Sequence, residues 1–148
     1  MKTIKHTLMA LVALLGLTAC THNEGDIDIW FGTWQIEEIS CAEMQLSDTY
    51  NNPNVYLQFQ GEMVTALHVS SLHDESVDYG TWREGDGTLD IDFPDPNVAY
   101  SHVLGSLIGS GDTSFHFTIT ERSANHVTLN YYNTIWNQHW TLRLRKST

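Results

Sequence analysis

Residues 55–69 read VYLQFQGEMVTALHV, and this stretch decides the fold. Val55, Leu57 and Phe59 alternate with Tyr56, Gln58 and Gln60; after the two-residue step Gly61-Glu62, Met63, Thr65, Leu67 and Val69 fall on one face. Successive side chains of a strand point to opposite faces, so this pattern predicts a β-hairpin. The alternation recurs on both sides of it. Gly32-Thr33-Trp34-Gln35-Ile36 opens a first strand reaching toward Cys41, and the break at Glu37-Glu38 predicts a bulge or a strand end. A fourth strand is expected over Val77 to Arg83, followed by the turn residues Glu84-Gly85-Asp86-Gly87. Leu89, Ile91 and Phe93, then Phe115, Phe117 and Ile119, then Val127, Leu129 and Tyr131, and finally Trp140, Leu142 and Leu144 mark four more.

About eight strands joined mostly by short turns can stack as a sandwich or close into a barrel. Closure removes exposed edges, and sequential strands favour a meander. The expected fold is therefore all-β, mainly β with one short helix, an eight-stranded antiparallel up-and-down barrel. A barrel of this size is either filled by side chains or just wide enough for one small ligand. The helix is read between strands five and six. Asp95-Pro96 is a helix start, and Tyr100, Val103, Leu104, Leu107 and Ile108 form a helical stripe that Gly109 can end. The expected span is 96–108, with a loose loop over the barrel mouth as the competing reading. Such a stripe needs apolar cover, and the open end of the barrel is the nearest. Phe93, Tyr100, Leu104, Phe115, Phe117, Tyr131 and Trp140 are the candidate lining of a pocket there.

The amino terminus carries a separate signal. Lys2 and Lys5 precede the apolar run Leu8 to Leu17, which is too short to span a bilayer, and Leu17-Thr18-Ala19-Cys20 follows. These four residues resemble the lipobox of bacterial lipoproteins. The resemblance implies cleavage of a 1–19 signal peptide, a diacylglyceryl group on Cys20, and a 20–29 tether leading to a 30–148 domain. Two or three acyl chains anchor stably where one does not. Thr21 follows the cysteine, where enterobacterial lipoproteins kept in the inner membrane carry aspartate, so the expected location is the outer membrane. Loss of Lys2 and Lys5 takes the formal charge from −11 to −13. That balance argues against nucleic acid as a partner. With Cys20 lipidated, Cys41 has no disulfide partner in the chain and reads as a core residue.

Gly32-Thr33-Trp34 at the start of strand one looks like the Gly-x-Trp signature of lipocalins. That resemblance implies that Trp34 packs across the closed end of the barrel beneath a basic residue of the last strand, Arg143 or Arg145. The lipobox, the short mature domain and the Leu142-Arg143-Leu144-Arg145-Lys146 ending together resemble the small lipocalin-like lipoproteins of Bacteroidetes. The helix predicted here precedes strand six, whereas lipocalins carry their main helix after strand eight.

Signs of catalysis are weak. His68, His73, Asp74 and Glu75 match no established zinc spacing, so no metal is assigned. Asp90 and Asp92 share the face opposite Leu89 and Ile91, which makes them an outer solvated pair, not a glycosidase dyad. His116, His126 and His139 fall on outward faces in the same way. No nucleophile elbow, phosphate loop or dinucleotide fingerprint occurs, and no cofactor or enzymatic activity is expected. Five tryptophans, six tyrosines and five phenylalanines point instead to binding. A large apolar void would favour a small apolar ligand; a filled barrel would favour an interaction or accessory module of an envelope complex. Cys20→Ala is expected to abolish membrane anchoring, and metabolic labelling with a fatty acid checks it: label retained in the variant refutes lipidation at this residue.

Overall fold

The computed structural model describes residues 29–44, 50–95 and 101–147, so Cys20, the tether up to residue 28 and Tyr100 lie outside the described residues. The strands are β1 (Gly32–Cys41), β2 (Tyr50–Asn51), β3 (Val55–Gln60), β4 (Met63–Val69), β5 (Glu75–Glu84), β6 (Thr88–Asp92), β7 (Ser114–Arg122), β8 (His126–Asn133) and β9 (Gln138–Lys146), with one short helix, α1 (Leu104–Leu107), between β6 and β7. β2 is a two-residue addition to the second half of β1. The other eight strands pair in chain order, all antiparallel, and β9 returns to β1. The result is a closed eight-stranded antiparallel barrel.

Closure explains the irregularity at Glu37-Glu38. β1 pairs with β9 from Trp34 opposite Lys146 to Cys41 opposite Trp140, with a register shift between Ile36 and Glu38. The bulge moves the inward phase by one residue. Trp34 and Ile36 are buried before it, Ile39 and Cys41 after it. In the β3–β4 hairpin, Phe59 pairs with Val64 and Gln60 with Met63. The inner face of β4 is therefore Val64 and Ala66, and Met63, Thr65, Leu67 and Val69 line the outer wall. Gly80 on β5 marks a close approach of two strands: a Cβ there would lie 2.1 Å from the Asp92 carbonyl oxygen.

One end of the barrel is plugged by aromatic rings. Trp30 is fully buried just ahead of β1, with ring centroids 5.7 Å from Trp34, 5.3 Å from Phe59 and 6.4 Å from Trp82. Each indole N–H has an acceptor: Trp30 donates to Glu84 Oε2 at 2.8 Å, Trp34 to the Trp30 carbonyl at 2.9 Å, and Trp82 to the Gly61 carbonyl at 2.9 Å. Glu84 also pairs with Arg122. The cation over Trp34 is Lys146, whose Nζ lies 5.4 Å from the ring and donates to the Ile29 carbonyl at 2.6 Å. This corrects the expectation for Arg143 and Arg145. Leu142 and Leu144 point inward, so the residues between and beside them point out. Arg143 meets Glu38 and Arg145 meets Glu37 on the outer wall. Such exposed pairs contribute little to stability.

Trp34 carries no exposed surface and satisfies its own N–H. Trp34→Ala is expected to cost roughly 3–5 kcal/mol, the range for a large buried aromatic. A denaturant midpoint unchanged within error would remove Trp34 from the plug.

Candidate functional site

The opposite end of the barrel is covered by the chain between β6 and β7. Val103, Leu104 and Ile108 are buried in the same core cluster as the barrel interior, and Leu107 packs against it half-buried. The 101–113 segment is thus a cap whose apolar residues face inward. Its helix is shorter than expected. Ser101 to Val103 are not helical, α1 covers Leu104–Leu107, and Gly109 at φ +60° ends the turn. Residues 96–100, the expected first turn, lie outside the described residues.

A side chain from the barrel wall fixes where the helix begins. Asp78 on β5 is buried and points inward from the strand face shared with Gly80. Its carboxylate accepts from Ser101 Oγ at 2.6 Å, Val103 N–H at 2.8 Å and His102 N–H at 3.2 Å. Ser101 Oγ in turn accepts from Leu104 N–H at 3.0 Å. The orphan donors of a helix start are thereby satisfied by a carboxylate from another element. The far side of the cap is held by Asp112, whose Oδ2 accepts from the Tyr131 hydroxyl at 2.6 Å. Burial, and then the Asp112 carboxylate beside it, push the Tyr131 phenol up to about 12, so it stays a neutral donor.

Beneath the cap, most of the candidate lining residues do come together. Phe93, Leu104, Phe115, Phe117, Tyr131 and Trp140 are all buried. Phe115 sits 6.2 Å from Phe93, 6.0 Å from Phe117 and 5.6 Å from Tyr131, centroid to centroid. They pack against one another instead of around a void. Leu104 and Phe117 expose no surface, so no space wide enough for water touches them.

Beside the cap the wall opens. β5 pairs with β6 only from Thr81 opposite Asp92 to Glu84 opposite Leu89, so Glu75 to Gly80 have no strand partner on that side among the described residues. The gap is a pocket of about 250 Å³ lined by Val77, Asp78, Tyr79, Phe93, Pro94, Asp95, Ser101 and His102. It lies between strand and cap, and Phe93 connects it to the aromatic row. Two larger hollows lie on the outer wall, one of about 550 Å³ along Arg83, Asp90 and His116 and one of about 440 Å³ along Tyr56, Leu67 and Tyr79.

Several other titratable residues are paired locally. Asp90 pairs with His116 and Arg83 on the outer wall, and Asp92 accepts from Ser114 at 2.6 Å. Glu43 takes the backbone N–H of His139 at 2.7 Å and its ring Nδ1 at 2.6 Å, which hold its carboxyl down at about 2. The buried Cys41 thiol donates to Glu43 at 3.3 Å, and burial pushes it up, away from thiolate reactivity. No cluster of three or more His, Cys, Asp or Glu among the described residues is arranged to hold a metal ion. Sequence reading gave Asp78 and Glu84 no role; the one usable signal was their alternation in phase with Trp82 on β5.

No protein-family model matches the chain, and no curated protein matches it. Solved structures do. An uncharacterized protein from Bacteroides eggerthii aligns with TM-score 0.64 at 18% identity, over 80% of this chain and 99% of that one. A lipocalin-like protein from Bacteroides uniformis aligns with TM-score 0.61 at 14% identity, over 80% and 99%. Lobster apocrustacyanin A1 aligns with TM-score 0.50 at 12% identity, over 86% and 66%. At these identities the likeness establishes the lipocalin-like barrel fold. Asp78→Ala is expected to cost about 1.5–3 kcal/mol, the range for hydrogen bonds to a charged acceptor, and to speed hydrogen exchange at the Val103 and Leu104 amides. Unchanged exchange there would mean that packing alone holds the cap.

Proposed function

We propose that this chain is an envelope lipoprotein, anchored through Cys20 and held at the outer membrane, whose lipocalin-like barrel binds a small, mostly apolar molecule beneath the 101–113 cap. The lipobox residues Leu17-Thr18-Ala19-Cys20 support the anchor. The observation that carries the binding reading is the 250 Å³ opening beside the cap, which leads through Phe93 to the aromatic row. The filled interior is then the closed form. Leu104 and Ile108 occupy the space that the apolar part of a ligand takes when the cap lifts. Two polar latches, Asp78 and the Asp112–Tyr131 pair, hold the cap shut, and hydrogen bonds of this kind can be exchanged for water when it opens. Burial of the cap's apolar side chains, at ~25 cal/mol per Å², is the larger cost that a ligand has to replace.

A second reading has its own observation. Tyr132, Ile135 and Trp136 at the β8–β9 turn are exposed, Trp136 at 64%, and Met44 is exposed at the same end. Together with the filled interior, this rim fits an interaction module that docks on another envelope protein. An environment-sensitive apolar dye separates the two. The dye is expected to bind the mature chain, and Leu104→Ala or Leu107→Ala is expected to change its affinity or its entry rate. Binding that neither substitution alters would refute the lid and keep the pocket; no binding in any form would leave the interaction reading.

A further inference from the structure

At the capped end of the barrel, two buried donors have no acceptor among the described residues. Asn133, at the end of β8, is fully buried. Its Oδ1 accepts from the N–H groups of Ile135 at 2.9 Å and Trp136 at 3.2 Å, which fixes the orientation of the amide and sends Nδ2 the other way. Trp140 on β9 is 4% exposed. Neither Asn133 Nδ2 nor Trp140 Nε1 meets an acceptor among the described residues. Ser110 Oγ is buried as well, but a hydroxyl can turn toward the Tyr131 phenol beside it. An amide and an indole cannot adjust in this way, and a buried donor without an acceptor is costly.

The register puts these donors together. Tyr131 pairs with Trp140 and Asn133 with Gln138, so Asn133 and Trp140 are diagonal neighbours on the inner face, about 7–8 Å apart and within reach of long side chains. They also stand at the end of the aromatic row. Phe93 just after β6 at the lateral opening, Phe115 on β7, Tyr131 on β8 and Trp140 on β9 follow one another around the wall. Three interstrand steps make a run of about 14 Å. At the Trp30 end, by contrast, every indole N–H is bonded, so the two orphans mark this end alone.

Charge decides what kind of acceptor fits. Beyond residue 28 the Lys and Arg residues are Arg83, Arg122, Arg143, Arg145 and Lys146, and all of them lie toward the Trp30 end or on the outer wall. The groups around the orphans are acidic: Asp112 on Tyr131, Asp78 across the cap, and Glu43 beside Cys41, the cross-strand partner of Trp140. A carboxylate or phosphate would meet like charge with no lysine or arginine beside it. A neutral carbonyl meets no repulsion, and its oxygen has the two lone pairs that two donors need.

Resting on the apolar-ligand reading, we infer that the barrel recognises a neutral, elongated apolar molecule carrying a carbonyl oxygen, which Asn133 Nδ2 and Trp140 Nε1 bind at the far end of the aromatic row. The carbonyl, whether of a ketone, ester or amide, supplies the acceptor missing from the closed form. The test uses two dyes on the mature chain, residues 20–148, with Cys20→Ser so that no acyl chain competes. Prodan carries one ketone; diphenylhexatriene carries no hydrogen-bonding atom. Both are expected to bind, and prodan is expected to shift the Trp140 indole N–H resonance downfield. Trp140→Phe keeps a ring but loses the donor, and Asn133→Asp keeps the Oδ1 acceptor but loses Nδ2. Each is expected to weaken prodan about tenfold more than diphenylhexatriene, the size of one lost buried hydrogen bond. Equal effects on both dyes, or an indole resonance that prodan does not move, overturn the carbonyl site and leave the apolar pocket standing. If neither dye binds the unsubstituted chain, the pocket itself fails and the carbonyl site fails with it. The resonance is read on unsubstituted protein, so a variant that fails to fold does not remove the test.

Discussion

Everything in this molecule depends on the pairing of its first long strand with its last. β1 must place Trp34 opposite Lys146 and Cys41 opposite Trp140 while keeping its apolar residues inside. A regular strand of that length cannot meet both demands, and the bulge after Ile36 is the extra residue that lets it. Once the ring is closed, no long edge is left exposed to another chain. The exception is the first half of β5, where β6 has already turned away. The pocket beside the cap lies there, where the β5–β6 hydrogen-bond ladder stops.

The two ends of the barrel are built on different principles. At the Trp30 end, three indoles pack together and each N–H has its acceptor. A fully satisfied polar network inside an aromatic plug makes a rigid, single-valued structure. At the capped end, apolar residues come from a connecting segment, a lone carboxylate organises its start, and two donors are left without acceptors. Unsatisfied buried groups are uncommon in native proteins. Their presence at one end only separates the part of the fold that supplies stability from the part free to change.

Much of the barrel was legible because alternation is a local signal. Val55, Leu57 and Phe59, or Phe115 and Phe117, declare their faces without reference to other strands. β4 is apolar on both faces, and only its pairing with Phe59 tells that Val64 and Ala66 are the inward pair. The cation over Trp34 was open to the same reasoning, since residue 146 continues the inward phase of Leu142 and Leu144, yet the arginines drew attention as the usual partner type. The aromatic lining was legible as a set, but its mutual packing depends on the closed ring. What could not be read was the start of α1. Asp95-Pro96 is a sound local start signal, whereas the group that caps α1 comes from Asp78, more than twenty residues upstream on another element. Tertiary capping leaves no local trace. The orphan donors were equally invisible, because a tryptophan or asparagine in sequence says nothing about its missing partner.

The placement of charge along the barrel axis has a consequence for how the molecule stands. Arg83, Arg122, Arg143, Arg145 and Lys146 lie at the Trp30 end or on the outer wall, where Arg122 meets Glu84, Arg83 meets Asp90, Arg143 meets Glu38 and Arg145 meets Glu37. The capped pole holds Glu43, Asp74, Glu75, Asp95 and Asp112 without a lysine or arginine. Uncompensated negative charge is therefore concentrated toward the capped end of the described barrel, and Ile29 lies at the other end, beside Lys146. On the proposal that Cys20 carries a lipid, the tether and an anionic surface would act in the same sense. Within about a Debye length of the surface, roughly 8 Å at physiological salt, the acidic capped pole would be repelled more strongly than the Trp30 pole. A barrel anchored in that way would hold its cap and side opening toward the solvent, oriented by the uneven distribution of lysine and arginine along its axis.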